Sequence, residues 1–255
     1  MHSNIPNIVH FCFGLRPQQQ EFLFVYYVAV LSAHLVNKPD CIRFIYHHEP
    51  YGPWWDKLKQ IPDLELIRVD VPGMIGPHKI KHVAHKADKL RMDFLYFSGG
   101  VYFDIDTICV RPYEHLLNND VVLGKEFPDG ICNAVMFTSP RSRFFKQWCN
   151  EYAEHFRPDG WREASILLPE QIWKREPQWA TVLSPECFFL PHCHETHNIF
   201  STDRDIPEQL ITLHLWEKFS MKYIEHIHDW SWAKNNINTL YGKLLDNIHK
   251  LQHDT

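Results

Sequence analysis

The chain has 255 residues, of which 45% are hydrophobic, 14% aromatic and 22% charged, proportions typical of a folded globular protein and not of a disordered one. A formal net charge of -5 gives no support for nucleic-acid binding through a basic surface. The seven cysteines are scattered and odd in number, which favours reduced thiols over a disulfide framework.

The apolar segments give an expectation about cellular location. The most apolar stretch, residues 22–36, includes Ser32 and His34 and is short for a membrane-spanning helix. We recognise no secretory signal at the N-terminus. The sequence therefore predicts a cytoplasmic protein without a transmembrane segment, and peripheral association with a membrane stays open.

Strand-like and helix-like segments alternate through residue 155. Predicted strands cover residues 5–14, 41–47, 64–71, 121–125 and 131–138, and predicted helices cover residues 21–37, 54–60, 79–97 and 144–155. This alternation predicts an α/β fold with a mostly parallel sheet flanked by helices, followed by a loop-rich, aromatic C-terminal region. No low-complexity linker or repeat interrupts the chain, so residues 1–255 are expected to form a single domain.

The segment of residues 96–106 is the most informative in the chain. An apolar, β-prone run there ends in Asp104-Ile105-Asp106, which predicts a buried strand that carries two carboxylates to the edge of the sheet. Because side chains alternate along a strand, Asp104 and Asp106 are expected to point the same way. Two adjacent carboxylates repel each other, so the pair calls for a cation, and oxygen ligands favour Mg²⁺ or Mn²⁺ over Zn²⁺. A bare Asp-x-Asp is also typical of a solvated turn.

Asp88 and Arg91 lie on the helix that precedes this strand. They are three residues apart and therefore share one helix face. The helix ends at Gly99-Gly100, which places its last turns near the carboxyl end of the strand, where open α/β sheets bind ligands. The pair could meet a ligand together or form an ordinary surface ion pair.

Taken together, Asp88, Arg91, the glycine pair and both aspartates resemble the DXD sugar-binding region of nucleotide-sugar glycosyltransferases. That family includes initiating α-1,6-mannosyltransferases, α-1,4-galactosyltransferases, capsular polysaccharide enzymes and large glucosylating toxins. Residues 5–10 resemble its opening strand, and residues 213–216 resemble its late His-Leu-Trp segment. The resemblance implies a GT-A fold, a divalent metal, a nucleotide diphosphate sugar as donor and transfer with retention at the anomeric carbon.

The resemblance also implies catalytic roles for four residues. Asp106 would bind the metal directly, while Asp104 would hold the ribose or sugar of the donor and reach the metal through water. Asp88 and Arg91 would hydrogen-bond sugar hydroxyls, a task suited to a carboxylate and a forked guanidinium.

Four further positions are candidates for donor or metal contacts by the same resemblance. His214 is a candidate third metal ligand or diphosphate contact, and Trp216 would lie beside the sugar. Phe13 could stack on the nucleotide base, although many relatives carry Trp there. Asn133 resembles a polar group that related enzymes place at the donor sugar.

The implied chemistry is coherent on physical grounds. A diphosphate leaving group gains negative charge as the glycosidic bond breaks, and Mn²⁺ or Mg²⁺ would stabilise that charge as a Lewis acid. The chain offers no obvious nucleophile, so we expect same-face attack through an oxocarbenium-like state; Glu170 and Gln171 are weaker candidates to approach the anomeric carbon. The acceptor would be a glycan, a lipid-linked group or a protein, as in polysaccharide biosynthesis.

Two other functions fit parts of the sequence. Phosphohydrolases of the haloacid dehalogenase type also place Asp-x-Asp after an apolar strand, but near the N-terminus, whereas about a hundred residues precede it here. A zinc-dependent binding module could instead use a crowded set of thiols and imidazoles. That set consists of Cys187, His192, Cys193, His194 and His197.

Overall fold

The structure is a computed structural model that describes residues 4–254. Its strands are β1 (Ile8–Cys12), β2 (Cys41–Tyr46), β3 (Leu64–Arg68), β4 (Met74–Ile75), β5 (His78–Lys79), β6 (Gly100–Phe103), β7 (Thr107–Cys109), β8 (Val121–Lys125), β9 (Ile131–Thr138), β10 (Thr181–Leu183) and β11 (Thr212–His214). Its α-helices are α1 (Phe24–Asn37), α2 (Pro53–Leu58), α3 (Val83–Ser98), α4 (Arg143–His155), α5 (Leu168–Arg175), α6 (Pro185–Phe188), α7 (His197–Phe200), α8 (Glu217–Ile224), α9 (Ser231–Asn235) and α10 (Leu240–Asp254).

Seven strands form the central sheet in the order β10-β8-β9-β6-β1-β2-β3. β9 runs antiparallel to both of its neighbours, and the other pairings in this sheet are parallel. The mostly parallel sheet predicted from the sequence is therefore confirmed. Since β6 and β8 both run opposite to β9, their carboxyl ends lie at the same edge of the sheet.

Hydrophobic residues cover both faces of the sheet, as expected for a parallel sheet between helices. Val101 and Phe103 of β6 belong to the cluster that includes α1 and α10, while Tyr102 between them belongs to the cluster that includes α3 and α4. This alternation follows from the two-residue period of a strand. It leaves β6 fully buried on both faces.

The observed elements differ from the predicted ones at two places that matter for the site. The prediction that Asp104 and Asp106 lie within one strand is wrong, because β6 ends at Phe103 and a turn follows. The backbone N–H of Thr107 donates to the carbonyl of Asp104 at 2.9 Å and closes this turn. The helix predicted from residue 79 begins at Val83, because β5 instead pairs with β4 in a short hairpin.

Short helices and connecting segments make up much of residues 156–239, in agreement with the predicted loop-rich C-terminal region. None of the helices within residues 4–254 is both long and apolar enough to cross a bilayer.

Candidate active site

Two carboxylates and one imidazole converge beyond the end of β6. Asp104 and Asp106 occupy the turn between β6 and β7, and His214 ends β11, which pairs antiparallel with β7. One ligand atom from each of the three residues lies within 4.8 Å of the others. Within residues 4–254 this is the only group of three or more His, Cys, Asp or Glu side chains with metal-ligand spacing. We call these three residues the acidic cluster.

Asp106 is held from two sides by the segment that follows β11. Its Oδ1 lies 3.2 Å from Nε2 of His214, and its Oδ2 accepts the backbone N–H of Glu217 at 2.7 Å. Burial raises the pKa of Asp106, but His214 and these hydrogen bonds together outweigh burial, so its pKa is lowered. Burial lowers the pKa of His214, whereas Asp106 raises it, and the net pKa is raised. The two groups therefore favour the ionised pair.

Asp104 is oriented by protein donors on its other side. Its Oδ1 accepts a hydrogen bond from the hydroxyl of Tyr102 at 2.8 Å and lies 2.9 Å from Nη1 of Arg91 in an ion pair. Burial raises the pKa of Asp104, and Arg91 opposes that shift. The side chain of Asp104 is 27% exposed, whereas that of Asp106 is 7% exposed. Asp104 is thus the more accessible carboxylate of the cluster.

Arg91 connects Asp104 to the buried carboxylate of Asp88. Asp88 accepts hydrogen bonds from Nδ2 of Asn133 at 2.8 Å and from the hydroxyl of Tyr152 at 3.2 Å. Nη1 of Arg91 donates to the carbonyl of Asn133 at 2.8 Å, and Nε of Arg91 lies 3.6 Å from Oδ1 of Asp88. The structure therefore joins three predicted site residues, Asp88, Arg91 and Asn133, to Asp104 in one network. Their direct contact with a donor sugar stays a prediction.

Trp216 also lies beside the acidic cluster. Its ring centroid is 4.2 Å from that of His214, and its Nε1–H donates to the carbonyl of Pro191 at 2.9 Å. Trp216 has a φ of 56°, an uncommon conformation for a bulky residue. With its backbone in the left-handed region, Trp216 turns the chain from β11 into α8. The first N–H of α8, that of Glu217, therefore faces Asp106.

Sequence reasoning overlooked Glu217, the next residue along the chain. Burial and the nearby Asp106 raise the pKa of Glu217 to about 7, while a hydrogen bond from Tyr26 opposes the shift. The available signal was its position directly after the His-Leu-Trp segment. Tyr152 was also overlooked, and nothing in the local sequence indicates that its hydroxyl meets Asp88, which lies 64 positions away.

Phe13 is connected to Glu217 through the side chain of Tyr26. The ring centroids of Phe13 and Tyr26 are 5.2 Å apart, and Tyr26 in turn reaches Glu217. Phe13 is partly buried. Its stacking on a nucleotide base stays a prediction.

Glu170 has a different environment from the acidic cluster. Its carboxylate pairs with Lys174 at 3.0 Å and with Lys125 at 3.5 Å. Two ammonium groups therefore engage the carboxylate that was a weak candidate for the anomeric carbon.

The proposed zinc ligands do not form a comparable cluster in the part of the chain that the structure describes. Nε2 of His192 lies 2.6 Å from the carbonyl of Phe127, and Sγ of Cys193 lies 3.6 Å from Nδ1 of His192. His194 instead contacts the ring of Phe219. The contacts of these side chains give no support to a zinc module.

Similarity to known proteins identifies the family of this chain. Residues 7–123 match the model described as glycosyltransferase sugar-binding region containing DXD motif. Over 251 residues the chain is 35% identical to Glucan organizing enzyme 1 of Cryptococcus neoformans var. grubii, covering 91% of this chain and 68% of that protein. The chain belongs to the DXD glycosyltransferase family. It is also 29% identical over 141 residues to Mannosyl phosphorylinositol ceramide synthase SUR1 of Saccharomyces cerevisiae, covering 51% of this chain and 35% of that protein.

The fold of this glycosyltransferase agrees with that of a solved structure. PaToxG Glycosyltransferase superposes with a TM-score of 0.52 at 14% identity, over 68% of this chain and 70% of that one. The predicted GT-A-like α/β fold and the predicted enzyme class, a glycosyltransferase, are confirmed. Membership of this family does not favour the phosphohydrolase interpretation of the Asp-x-Asp motif.

Proposed function

We propose that this glycosyltransferase uses Mn²⁺ or Mg²⁺ and transfers a hexose from a nucleotide diphosphate sugar with retention of the anomeric configuration. The observation that carries the proposal is the convergence of Asp104, Asp106 and His214 within 4.8 Å. Two carboxylates and an imidazole form a donor set that suits a divalent metal. Nδ1 of His214 is buried without a hydrogen-bond partner among the described residues, which fits a site that a ligand completes.

Electrostatics support a cation at this position. Asp104, Asp106 and Glu217 concentrate carboxylates where the anionic diphosphate of a donor must lie. Like charges at this distance repel, so a cation between protein and donor removes the conflict. When bound, the metal supplies a Lewis acid that stabilises the charge of the leaving diphosphate.

The three residues of the acidic cluster have different proposed roles. We assign direct metal contact to Asp106, because the Glu217 amide and His214 fix its carboxylate. Asp104 is more exposed and is oriented by Arg91, so it is placed to hold the donor and to reach the metal through water. An imidazole ligand is neutral, so His214 would give up the proton that Asp106 favours on it when it serves as a metal ligand.

The remaining donor contacts are proposals as well. Asp88, Arg91 and Asn133 form the wall beside Asp104 and would bind or position the sugar. Trp216 would lie beside the sugar, and Phe13 would stack on the base. Within residues 4–254 no carboxylate outside the acidic cluster and its partners stands out as a nucleophile, which supports same-face attack over a covalent intermediate.

The choice of sugars to test comes from the names of relatives. The yeast relative is named a mannosyl phosphorylinositol ceramide synthase, which makes GDP-mannose the first donor to examine. The Cryptococcus relative is named for organising glucan, which keeps polysaccharide biosynthesis among the proposed roles. The acceptor is a glycan, a lipid-linked group or a protein.

A screen of UDP- and GDP-sugars with Mn²⁺ tests donor, metal and reaction together. One donor should raise the melting temperature by several degrees and release its nucleotide, because a ligand that binds only the native state stabilises it.

Asp106→Asn should lower kcat/KM at least about 100-fold and weaken Mn²⁺ binding measured by calorimetry. Asp205→Asn is the matched control, since that side chain is 98% exposed. Unchanged Mn²⁺ affinity and turnover in Asp106→Asn would refute the proposal.

A further inference from the structure

Three large aromatic side chains are exposed in segments that are connected to the acidic cluster by side-chain contacts. Phe127 is 61% exposed, Trp161 is 53% exposed and Phe219 is 44% exposed. They come from three separate segments: the connection from β8 to β9, the connection from α4 to α5, and the first turn of α8. Large exposed apolar side chains that gather at one place usually mark a binding surface.

Polar side chains link two of these aromatic residues in a continuous row. The ring centroids of Phe127 and His192 are 5.4 Å apart, and those of His192 and His194 are 5.5 Å apart. His194 in turn lies 5.4 Å from Phe219. The row therefore places two imidazoles, those of His192 and His194, between two apolar rings.

Trp161 joins the row through the neighbour of Phe219. Nζ of Lys218 lies 4.9 Å from the centroid of the Trp161 ring. We call the whole surface the aromatic rim. It consists of Phe127, His192, His194, Phe219, Lys218 and Trp161.

The aromatic rim begins directly beside the acidic cluster. The ring of His192 is 6.1 Å from that of Trp216, which contacts His214. Lys218 follows Glu217, whose N–H donates to Asp106. In a transfer reaction the attacking hydroxyl must come within about 3–3.5 Å of the reacting carbon. The molecule that carries this hydroxyl therefore extends over the surface next to the cluster.

We propose that the aromatic rim binds the acceptor, and that the part of the acceptor lying there is a saccharide. This inference rests on the proposed function of the acidic cluster. The C–H face of a pyranose ring packs on Phe127, Trp161 or Phe219, and its hydroxyls reach the imidazoles and the ammonium group between those rings. Aromatic side chains have few rotamers, so ordering them around a sugar costs little entropy.

The composition of the rim favours a saccharide over a lipid surface. A bilayer contact is strengthened by contiguous apolar area and by attraction to anionic lipids. Here a polar side chain interrupts the apolar area between neighbouring rings, and the chain has a formal net charge of -5. A sugar presents the matching pattern, since it alternates C–H groups with hydroxyls.

The test is a binding titration with methyl α-D-mannopyranoside and with laminaritriose, followed by saturation-transfer NMR with and without UDP or GDP and Mn²⁺. At least one saccharide should bind the full chain. Phe219→Ala and Trp161→Ala should each raise its dissociation constant about tenfold. Both variants should bind the nucleotide diphosphate as the unaltered chain does, which shows that the donor side is intact.

Phe97→Ala is the matched control, because Phe97 is a 63% exposed phenylalanine near the end of α3, at the opposite end of β6 from Asp104. It should bind both saccharides as the unaltered chain does. Absence of saccharide binding, or rim variants that behave like Phe97→Ala, would overturn the inference. So would rim variants that keep saccharide binding but no longer sediment with phosphatidylcholine vesicles, since that assigns the rim to a membrane. Failure of the proposed function shows separately, as no nucleotide release from any donor.

Discussion

Glu217 carries a carboxyl group whose protonation is tied to folding. Burial and Asp106 raise its pKa from 4.5 to about 7. A carboxyl group with a raised pKa in the folded state contributes stability that is complete below pH 4.5 and is lost as the pH rises through about 7. The pKa of His214 is also raised, so its contribution is likewise lost as the pH rises through its folded value. Both residues therefore make the metal-free protein less stable in mild alkali.

Glu217→Gln should remove the carboxyl part of this dependence. Between about pH 5 and pH 8 the free energy of unfolding of the unaltered chain should fall by roughly 2–3 kcal/mol on account of Glu217. The variant should lose less, because glutamine has no proton to release. Urea unfolding in EDTA at both pH values measures the difference, with the exposed Glu208→Gln as control. Parallel pH profiles for Glu217→Gln and the unaltered chain would contradict this account.

At the level of single residues, the sequence predicted which side chains form the acidic cluster but not the buried contacts that hold the neighbouring side chains in place. Asp104 and Asp106 stand out because their motif is local, and His214 stands out because of its His-Leu-Trp setting. Tyr152 could not be found, since its contact with Asp88 depends on how α4 packs against α3. The sequence likewise gives no sign that Arg91 and Asp88 are buried and paired with protein groups.

Among the elements, the glycine turn between α3 and β6 sets the start of the strand that leads to the aspartates. Gly99 has a φ of 65° and Gly100 a φ of 106°, a region that favours glycine. A Cβ on Gly100 would lie 2.4 Å from the carbonyl oxygen of Ile8. Nε2–H of His10 donates to the carbonyl of Gly99 at 2.9 Å, and burial lowers the pKa of His10 to about 4. A neutral imidazole of β1 therefore holds the turn.

Gly100→Ala should be strongly destabilising. We expect the free energy of unfolding to fall by about 3 kcal/mol or more, because the added methyl group meets backbone in a conformation that alanine avoids. Gly73→Ala is the control, since a Cβ at that position has no heavy atom within 4 Å. Urea unfolding of both variants makes the comparison. A loss in Gly100→Ala no larger than that in Gly73→Ala would show that the turn adapts.

Local patterns predicted the elements whose ends are set by local signals. β8 and β9 have the predicted bounds, Val121–Lys125 and Ile131–Thr138, because turn residues separate two short apolar runs. The end of β6 was missed because the chain turns there to let β7 pair with β11, about a hundred residues later. Periodicity within a short window cannot reveal such a pairing.

In the whole molecule, one sheet joins two hydrophobic clusters. β6 contributes Val101 and Phe103 to one cluster and Tyr102 to the other, so neither cluster can loosen without disturbing the same strand. The single domain over residues 1–255 stays a prediction. Shared strands nevertheless favour one cooperative unit.

Unfolding should therefore follow one transition. Far-UV circular dichroism and tryptophan fluorescence should give the same urea midpoint, because both report the loss of a shared core. Mn²⁺ with the bound donor should move both midpoints together. Two separated transitions, or a midpoint shift seen by one probe alone, would show that parts of the chain unfold independently.

The pairing of β7 with β11 also orders events during synthesis. Thr107 lies opposite His214 in this pairing, yet the two positions are far apart in the chain. Since proteins are made from the N-terminus, both aspartates leave the ribosome about a hundred residues before His214 and Glu217. Until that late segment docks, Asp106 lacks both its imidazole and its backbone partner. An unfinished chain on the ribosome therefore does not yet contain the complete site.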